Sequence, residues 1–270
     1  MRITLLGGDA RMPYAAEALG EGGHEVSLCA HGEVPLSPEV LSSAEAVLLP
    51  HPLSRDGVHL FAPMSPLTAP LSALLAMLPE GVPLLAGATT GAIEPFSQHH
   101  RILSYGEDEG FLARNARITA EGALSLLMQR LPKALADTPC LILGSGRLAR
   151  ALASLLAGLS APHSVFARNP APLPGGIRPL PLTALPAEIG RFPVLINTVP
   201  VRLLDASLLR RAREGALLLE LAAVPDVVDP AAVSAAGMTL LSAPALPGRY
   251  APASAGRALA EAALRLISFA

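Results

Sequence analysis

The chain has 270 residues, 51% hydrophobic and 16% charged, with a formal net charge of −2. That balance suits a packed globular protein, is long enough for two compact α/β domains, and excludes a chain that is disordered throughout. Aromatics make up 3% of it, Trp is absent and no Lys/Arg-rich run occurs, so it offers neither an electrostatic footing nor a stacking platform for nucleic acid.

The first apolar run, ending at Leu6, passes directly into Gly7-Gly8-Asp9 and is too short for a signal peptide, so a cytoplasmic protein is expected. From there short apolar runs alternate with helical patterns, which predicts α/β architecture: two doubly wound, Rossmann-like parallel sheets. The first half gives strands near 2–6, 25–29, 45–49, 83–86 and 101–104, with helices near 12–22 and 68–78. The stretch from Gly57 to Pro79 has no Asp, Glu, Lys or Arg and is long enough to span a membrane. Pro63, Pro66 and Pro70 interrupt it, each removing a backbone donor that lipid cannot replace, so it reads as a Pro-rich loop leading into a buried helix. Cys29 and Cys140 sit in apolar strand-like runs and read as small buried thiols. His99-His100 read as loop residues, since adjacent side chains diverge and no nearby Cys or acid completes a metal site.

Next comes a hinge helix over 118–136, with Leu124, Leu127, Met128, Leu131 and Leu135 on one stripe, Thr119 as N-cap and Glu121 in the first turn. A second stripe of Leu259, Ala262, Ala263, Leu266 and Ile267 follows Pro252. The expected organisation is therefore a first domain over 1–117, completed by a returning helix at 252–270, and a second domain over 137–250. Strands of the second are expected near 140–144, 163–167, 194–197, 216–221 and 239–242, with surface loops in the Pro-rich 170–181.

The strand ending at Leu143 is followed by Gly144-Ser145-Gly146-Arg147-Leu148-Ala149 and then by an amphipathic helix carrying Leu148, Leu152, Leu155, Leu156 and Leu159. This is G-x-G-x-x-A between a strand and a helix. Gly144 makes the tight turn, Gly146 lets backbone approach a pyrophosphate, and small Ala149 lets helix and strand pack closely. The phosphates would meet the positive end of the helix. The alternative is a Gly-rich turn with no ligand. About 20 residues on, an NAD site usually carries an acid for the ribose hydroxyls. Here Ala167 is followed by Arg168-Asn169, and an Arg there can pair with a 2′-phosphate, so NADP is favoured over NAD. Asn197, Thr198 and Pro200 end the 194–197 run, at the strand edge where a nicotinamide ribose would lie.

Several segments together resemble the family of the dipicolinate synthase A-chain, its dehydrogenase-like subunit. They are Gly7-Gly8-Asp9-Ala10-Arg11; Asn115 with Thr119-Ala120-Glu121-Gly122; Gly144-Ser145-Gly146-Arg147; Asn197-Thr198-Val199-Pro200; Leu219-Glu220-Leu221-Ala222; Ala243-Pro244-Ala245-Leu246-Pro247-Gly248; and Ala251-Pro252 with Ala255-Gly256. The pattern departs from the family at Ala223-Val224-Pro225-Asp226-Val227, at Glu220 in place of Asp, and at Ala253 where the family can carry Lys. The resemblance implies NADP-dependent oxidation of a dihydrodipicolinate-type ring to dipicolinate (pyridine-2,6-dicarboxylate), linked to sporulation. It also implies a partner, the second, flavoprotein-like subunit of dipicolinate synthase; a homo-oligomer is a further option. Under it Gly248 joins the cofactor site, while Arg11, Asn115 and Thr119 are substrate-binding candidates, since a dicarboxylate calls for cationic or amide donors. Asp9 and Glu121 are the carboxylates best placed to accept a proton, although no partner group singles out either as a base. The competing readings are a shikimate or alanine dehydrogenase-like enzyme, weakened because Lys133 is the only Lys, and a protein that senses NADP(H) without catalysis.

Overall fold

A computed structural model describes residues 1–169, 172–222, 224 and 226–268. The chain forms two compact units, Met1–Asn115 with Pro247–Ala270, and Ala116–Leu246. The first contains β1 (Arg2–Leu6), α1 (Arg11–Glu21), β2 (Glu25–Cys29), α2 (Pro38–Ser42), β3 (Ala46–Leu48), α3 (Leu71–Leu75), β4 (Leu84–Ala86) and β5 (Ile102–Ser104). Its five strands are all parallel in the order β2-β1-β3-β4-β5. Helix α4 (Glu109–Arg130) runs from the first unit into the second, which continues with β6 (Cys140–Leu143), α5 (Arg147–Gly158), β7 (His163–Ala167), β8 (Leu180–Pro181), α6 (Leu185–Glu188) and β9 (Val194–Asn197). Then follow α7 (Ala206–Leu209), β10 (Leu217–Glu220), α8 (Pro230–Ala235), β11 (Thr239–Ser242), α9 (Leu246–Tyr250) and α10 (Pro252–Ser268). The second sheet is parallel, ordered β11-β10-β9-β6-β7-β8. Both predicted sheets are therefore present.

The central strands β3, β4 and β6 read as continuous apolar runs because both faces of the sheet are covered there. In β1, Ile3 and Leu5 enter one core cluster and Leu6 the opposite one. In β6, Cys140 and Ile142 face α5, while Leu141 and Leu143 face the cluster of Leu195, Leu218 and Val233. Both cysteines are free and buried, and burial pushes the Cys140 thiol up to about 12, leaving it protonated at neutral pH. Residues 51–70 form an irregular loop leading to α3, whose Leu71, Leu74 and Leu75 are buried, as the prolines suggest. Among the described residues no helix is long and apolar enough to cross a membrane.

The hinge helix needs correction. Helix α4 starts at Glu109, so Thr119 and Glu121 lie deep inside it and cannot cap it. Its true cap is Asp108, whose Oδ1 accepts from Phe111 N at 2.6 Å while its carbonyl accepts from Leu112 N at 2.9 Å. The helix also ends at Arg130, leaving Leu135 in a separate short turn, and Met128 is 54% exposed while Leu124 and Leu127 are buried. A second correction concerns 170–181. Pro170 and Ala171 lie outside the described residues, but Leu180–Pro181 is an edge strand paired with Phe166 and Ala167. An edge tolerates Pro because one side of the strand needs no ladder donor.

The returning helix α10 packs on α1, burying Ala255, Ala258, Leu259, Ala262 and Ala263. Near its end Arg265 grips Asp108 with both arms, Nε to Oδ2 at 3.0 Å and Nη2 to Oδ1 at 2.6 Å. That pairing, with the helix cap, holds the Asp108 carboxyl below the usual carboxylate range. Its contribution to stability is therefore complete above the ordinary Asp pKa and is lost as pH falls through the depressed value. Asp108→Ala should cost about 1–2 kcal/mol at pH 7, with the difference from wild type shrinking as thermal melts are taken to acid pH.

Candidate functional site

In the second unit β6, β7 and β8 run to one side of the sheet and β9, β10 and β11 to the other, so the crossover reverses between β6 and β9. Ligands of open parallel sheets lie beyond the carboxyl ends of the strands at this reversal. The glycine turn stands there. Gly144 has φ +110°, a region that L side chains rarely adopt, and a Cβ on it would lie 2.5 Å from Thr198 Oγ1. Its N–H donates to the Phe166 carbonyl at 2.8 Å, tying the turn to the neighbouring strand. Gly146, by contrast, has ordinary backbone angles, and among the described residues no atom beyond its chain neighbours lies within 4 Å of where its Cβ would be. It begins α5 without any side-chain cap. The helix N-terminus therefore opens onto free space, with exposed Arg147 and half-buried Leu148 in its first turn. Ala149 is fully buried in the α5–sheet core, filling the role of the third small residue.

Arg168 is exposed, directly after β7. On the other side, Asn197 is 1% exposed and wholly committed to the protein. Its Nδ2 donates to Glu220 Oε2 at 2.7 Å, and its Oδ1 accepts from Val199 N at 3.1 Å. Thr198 Oγ1 donates to the Leu143 carbonyl at 2.6 Å. These side chains fix the turn rather than reach outward; exposed Pro200 follows them. Glu220, not among the expected site residues, proves to be the latch: its Oε1 accepts from Ala222 N at 2.7 Å, and burial raises its pKa despite these bonds. A carboxylate ending the apolar run Leu217–Leu219 was the available signal. Of the departing loop 223–227, Ala223 and Pro225 lie outside the described residues.

In the first unit the crossover reverses between β1 and β3. Gly7-Gly8-Asp9 follows β1, and Arg11 opens α1. Asp9 and Arg11 form a two-armed pair, Nε to Oδ1 at 2.8 Å and Nη2 to Oδ2 at 3.0 Å, with side chains only 20% and 14% exposed. Arg11 Nη2 also donates to the His51 carbonyl at 2.8 Å, and Asp9 Oδ1 accepts from Arg11 N at 3.1 Å. Both oxygens of the Asp9 carboxylate are therefore engaged by the Arg11 guanidinium. Gly248 belongs to this unit, not to the glycine turn: a Cβ on it would sit 2.9 Å from Asp9 Oδ2. Asn115 and Thr119, four residues apart, share one face of α4. Glu121 lies further along, paired with Arg117 at 3.1 Å within the helix. Thus Asp9, Arg11 and Gly248 come together in the first unit, whereas Glu121 belongs to the second.

Residues 2–104 match the family described as the N-terminal domain of the dipicolinate synthase A-chain. The dipicolinate synthase A-chain of Bacillus subtilis (strain 168) is 28% identical over 172 residues, an alignment spanning 62% of this chain and 58% of that relative. The crystal structure of the dipicolinate synthase A-chain from Bacillus halodurans has a TM-score of 0.86 at 21% identity, covering 99% of this chain and 97% of that one. An L-alanine dehydrogenase shares the fold more distantly, with a TM-score of 0.64 at 17% identity over 99% of this chain and 89% of that one. The chain is therefore similar to the dipicolinate synthase A-chain, matching that family's N-terminal domain over residues 2–104 and sharing the two-sheet fold of these structures.

Proposed function

We propose that the chain is an oxidoreductase of the dipicolinate synthase A-chain kind, oxidising a dihydrodipicolinate-type ring to pyridine-2,6-dicarboxylate with NADP, as in spore formation. The observation that carries the cofactor half is the open space over Gly146 at the uncapped start of α5, beside a Gly144 that nothing larger could replace. Gly144, Ser145, Gly146, Arg147 and Leu148 would cradle the pyrophosphate, and Arg168 the 2′-phosphate. Asn197 and Thr198 would hold the neighbouring edge in shape, with Pro200 beside it. When bound, the cofactor supplies the hydride acceptor, and aromatisation of the ring supplies driving force. Arg11, with Asn115 and Thr119, is the substrate-side proposal, Asp9 and Gly248 serving to hold Arg11. The reading includes, as partner, the second, flavoprotein-like subunit of the synthase.

Turnover is tested by incubating the full chain, on its own and with the co-expressed partner, with NADP⁺ and freshly made dihydrodipicolinate, following 340 nm absorbance. No NADPH formation in either case, despite saturable cofactor binding, would leave a binding protein and sink the enzymatic reading. For the cofactor choice, Arg168→Asp should weaken NADPH binding tenfold or more, since a charge-assisted bond worth ~1.5–3 kcal/mol is replaced by repulsion. NADH binding should change little. Equal affinity of the wild type for both cofactors in a fluorescence titration would remove Arg168 from this role. Arg11→Ala should weaken dicarboxylate binding about tenfold or more while NADPH affinity stays at the wild-type level; a loss of NADPH binding instead would mean that Arg11 serves the cofactor.

A further inference from the structure

The carboxyl end of β3 is held unusually firmly. The buried Tyr105 hydroxyl donates to the Leu49 carbonyl at 2.9 Å, and Leu49 N donates to the Leu85 carbonyl at 2.9 Å. Two residues on, Arg11 Nη2 donates to the His51 carbonyl. The His51 side chain then lies close against Gly87, just past β4: a Cβ on Gly87 would overlap the imidazole Nδ1 and stand 2.7 Å from its Cγ. Gly87 in turn lies against Gly106, where a Cβ would overlap the Gly87 carbonyl oxygen. Three hydrogen bonds thus hold the main chain from Leu49 to His51, and the close approach of Gly87 confines an imidazole that remains accessible to solvent.

Beside it is a cavity of about 160 Å³, lined by His51, Pro52, Ala86, Gly87, Thr90 and Ile93 among others. This is smaller than the ~300 Å³ at which drug-sized ligand sites begin, and so suits one small ring. The wall is largely apolar and includes no carboxylate. Ser54, also in the wall, has its hydroxyl spent on Asp56 and on Gly57 N, which leaves His51 and Thr90 as the polar groups facing a ligand. The location, adjoining the β1/β3 reversal, is where parallel sheets bind ligands.

We propose that His51 is a substrate-contacting residue, that the cavity beside it takes a small cyclic carboxylic acid, and that Arg11, besides its substrate-side role, positions this turn through the His51 carbonyl, with Asp9 holding Arg11 in place. This rests on the ring-acid substrate of the proposed function. A side chain fixed in advance loses little entropy on meeting its ligand, which is the use of so much anchoring at one imidazole. Protein atoms around the ring and the Arg11 charge both hold the His51 pKa below its ordinary value. The carboxylates near this turn are Asp9, engaged by Arg11, and Asp56, bonded to Ser54 of the cavity wall and to His59. His51 therefore enters the site neutral at pH 7, and a carboxylate placed against it favours the protonated form. Ligand binding takes up a proton, so affinity rises as pH falls through the imidazole range.

The test is calorimetric titration of the full chain with pyridine-2,6-dicarboxylate and pyridine-2-carboxylate between pH 5.5 and 8.5. Wild type, His51→Gln and Gly87→Ala are compared, with thermal melts and NADPH binding measured on the same samples. Wild-type affinity should rise toward acid pH; His51→Gln should bind at least tenfold more weakly at pH 6, with a flat pH profile, and its melting and NADPH binding should be unchanged. Gly87→Ala should weaken the acid by displacing the ring without removing it. Equal affinity and equal pH dependence in wild type and His51→Gln would overturn the proposal, as would a wild type that binds neither acid. In the latter case NADPH binding and dihydrodipicolinate turnover still report separately on the proposed function.

Discussion

Gly146→Ala should leave melting temperature unchanged while weakening NADPH binding at least tenfold, and Gly144→Ala should lower both. The two glycines look equivalent in the motif but differ physically. Gly146 has φ −72° and open space where a Cβ would go, so a methyl group meets nothing in the protein; it projects instead into the space left for the pyrophosphate. Tenfold corresponds to about 1.4 kcal/mol, a modest cost for pushing a phosphate from backbone N–H groups. Gly144 has φ +110°, and its methyl would overlap Thr198 Oγ1, which bonds the Leu143 carbonyl. Strain and overpacking together cost ~2–4 kcal/mol. Titration of NADPH fluorescence beside thermal melts separates the two effects. Wild-type affinity in Gly146→Ala would show that no phosphate approaches this turn.

The largest loss of stability is expected from Gly256→Leu. Gly256 lies where α10 crosses α1: a Cβ there would overlap the Arg11 carbonyl oxygen and stand 2.8 Å from Tyr14 Cβ and 2.9 Å from Ala15 N. Two of those atoms are backbone and cannot turn away, so the helices must separate, uncovering Ala255, Leu259 and Ala262. Overpacking alone costs ~1–3 kcal/mol, and lost burial adds about 25 cal/mol per Å² of apolar surface exposed. Exposed Ser254, two residues before, is the control: Ser254→Leu should stay within about 0.5 kcal/mol of wild type. Denaturant unfolding of both variants decides it; similar midpoints would mean the helices do not pack through Gly256. Because α10 covers the helix that opens with Arg11, the Leu variant should also weaken dicarboxylate binding.

Much of the fold was readable because parallel sheets leave a strong local trace. Strands covered on both faces are rich in apolar residues, and β6 and the apolar stretches of β1, β7 and β9 stand out as such between amphipathic helices. The edge strand β8 was missed because it is two residues long, includes a Pro, and is a strand only through its pairing with β7. The start of α4 was misplaced for a related reason. Thr119 looks like a cap, but caps are recognised by what their side chains bond, and the carboxylate that does this is Asp108, braced by Arg265 from 157 residues away. Similarly, Met128 lies on the expected stripe yet is exposed, since which part of a helix face is covered depends on what packs there.

The glycine turn was a local determination: the spacing of Gly144, Gly146 and Ala149 between a strand and a helix follows from backbone sterics, and the structure gives each residue the environment that its size demands. Arg168 too was placed by counting along the chain. What tertiary structure alone decided is which polar groups are spent and which remain. Asp9, a candidate proton acceptor in the sequence, is engaged by Arg11; Asn197, expected beside the cofactor, gives its amide to Glu220; Gly248, expected at the cofactor site, rests against Asp9 in the first unit. His51 drew no notice in the sequence because its setting comes from Arg11, Tyr105 and Gly87, residues that only the sheet order brings to one edge. Sequence spacing specifies backbone conformation over a few residues, whereas the availability of a side chain depends on partners that are distant along the chain.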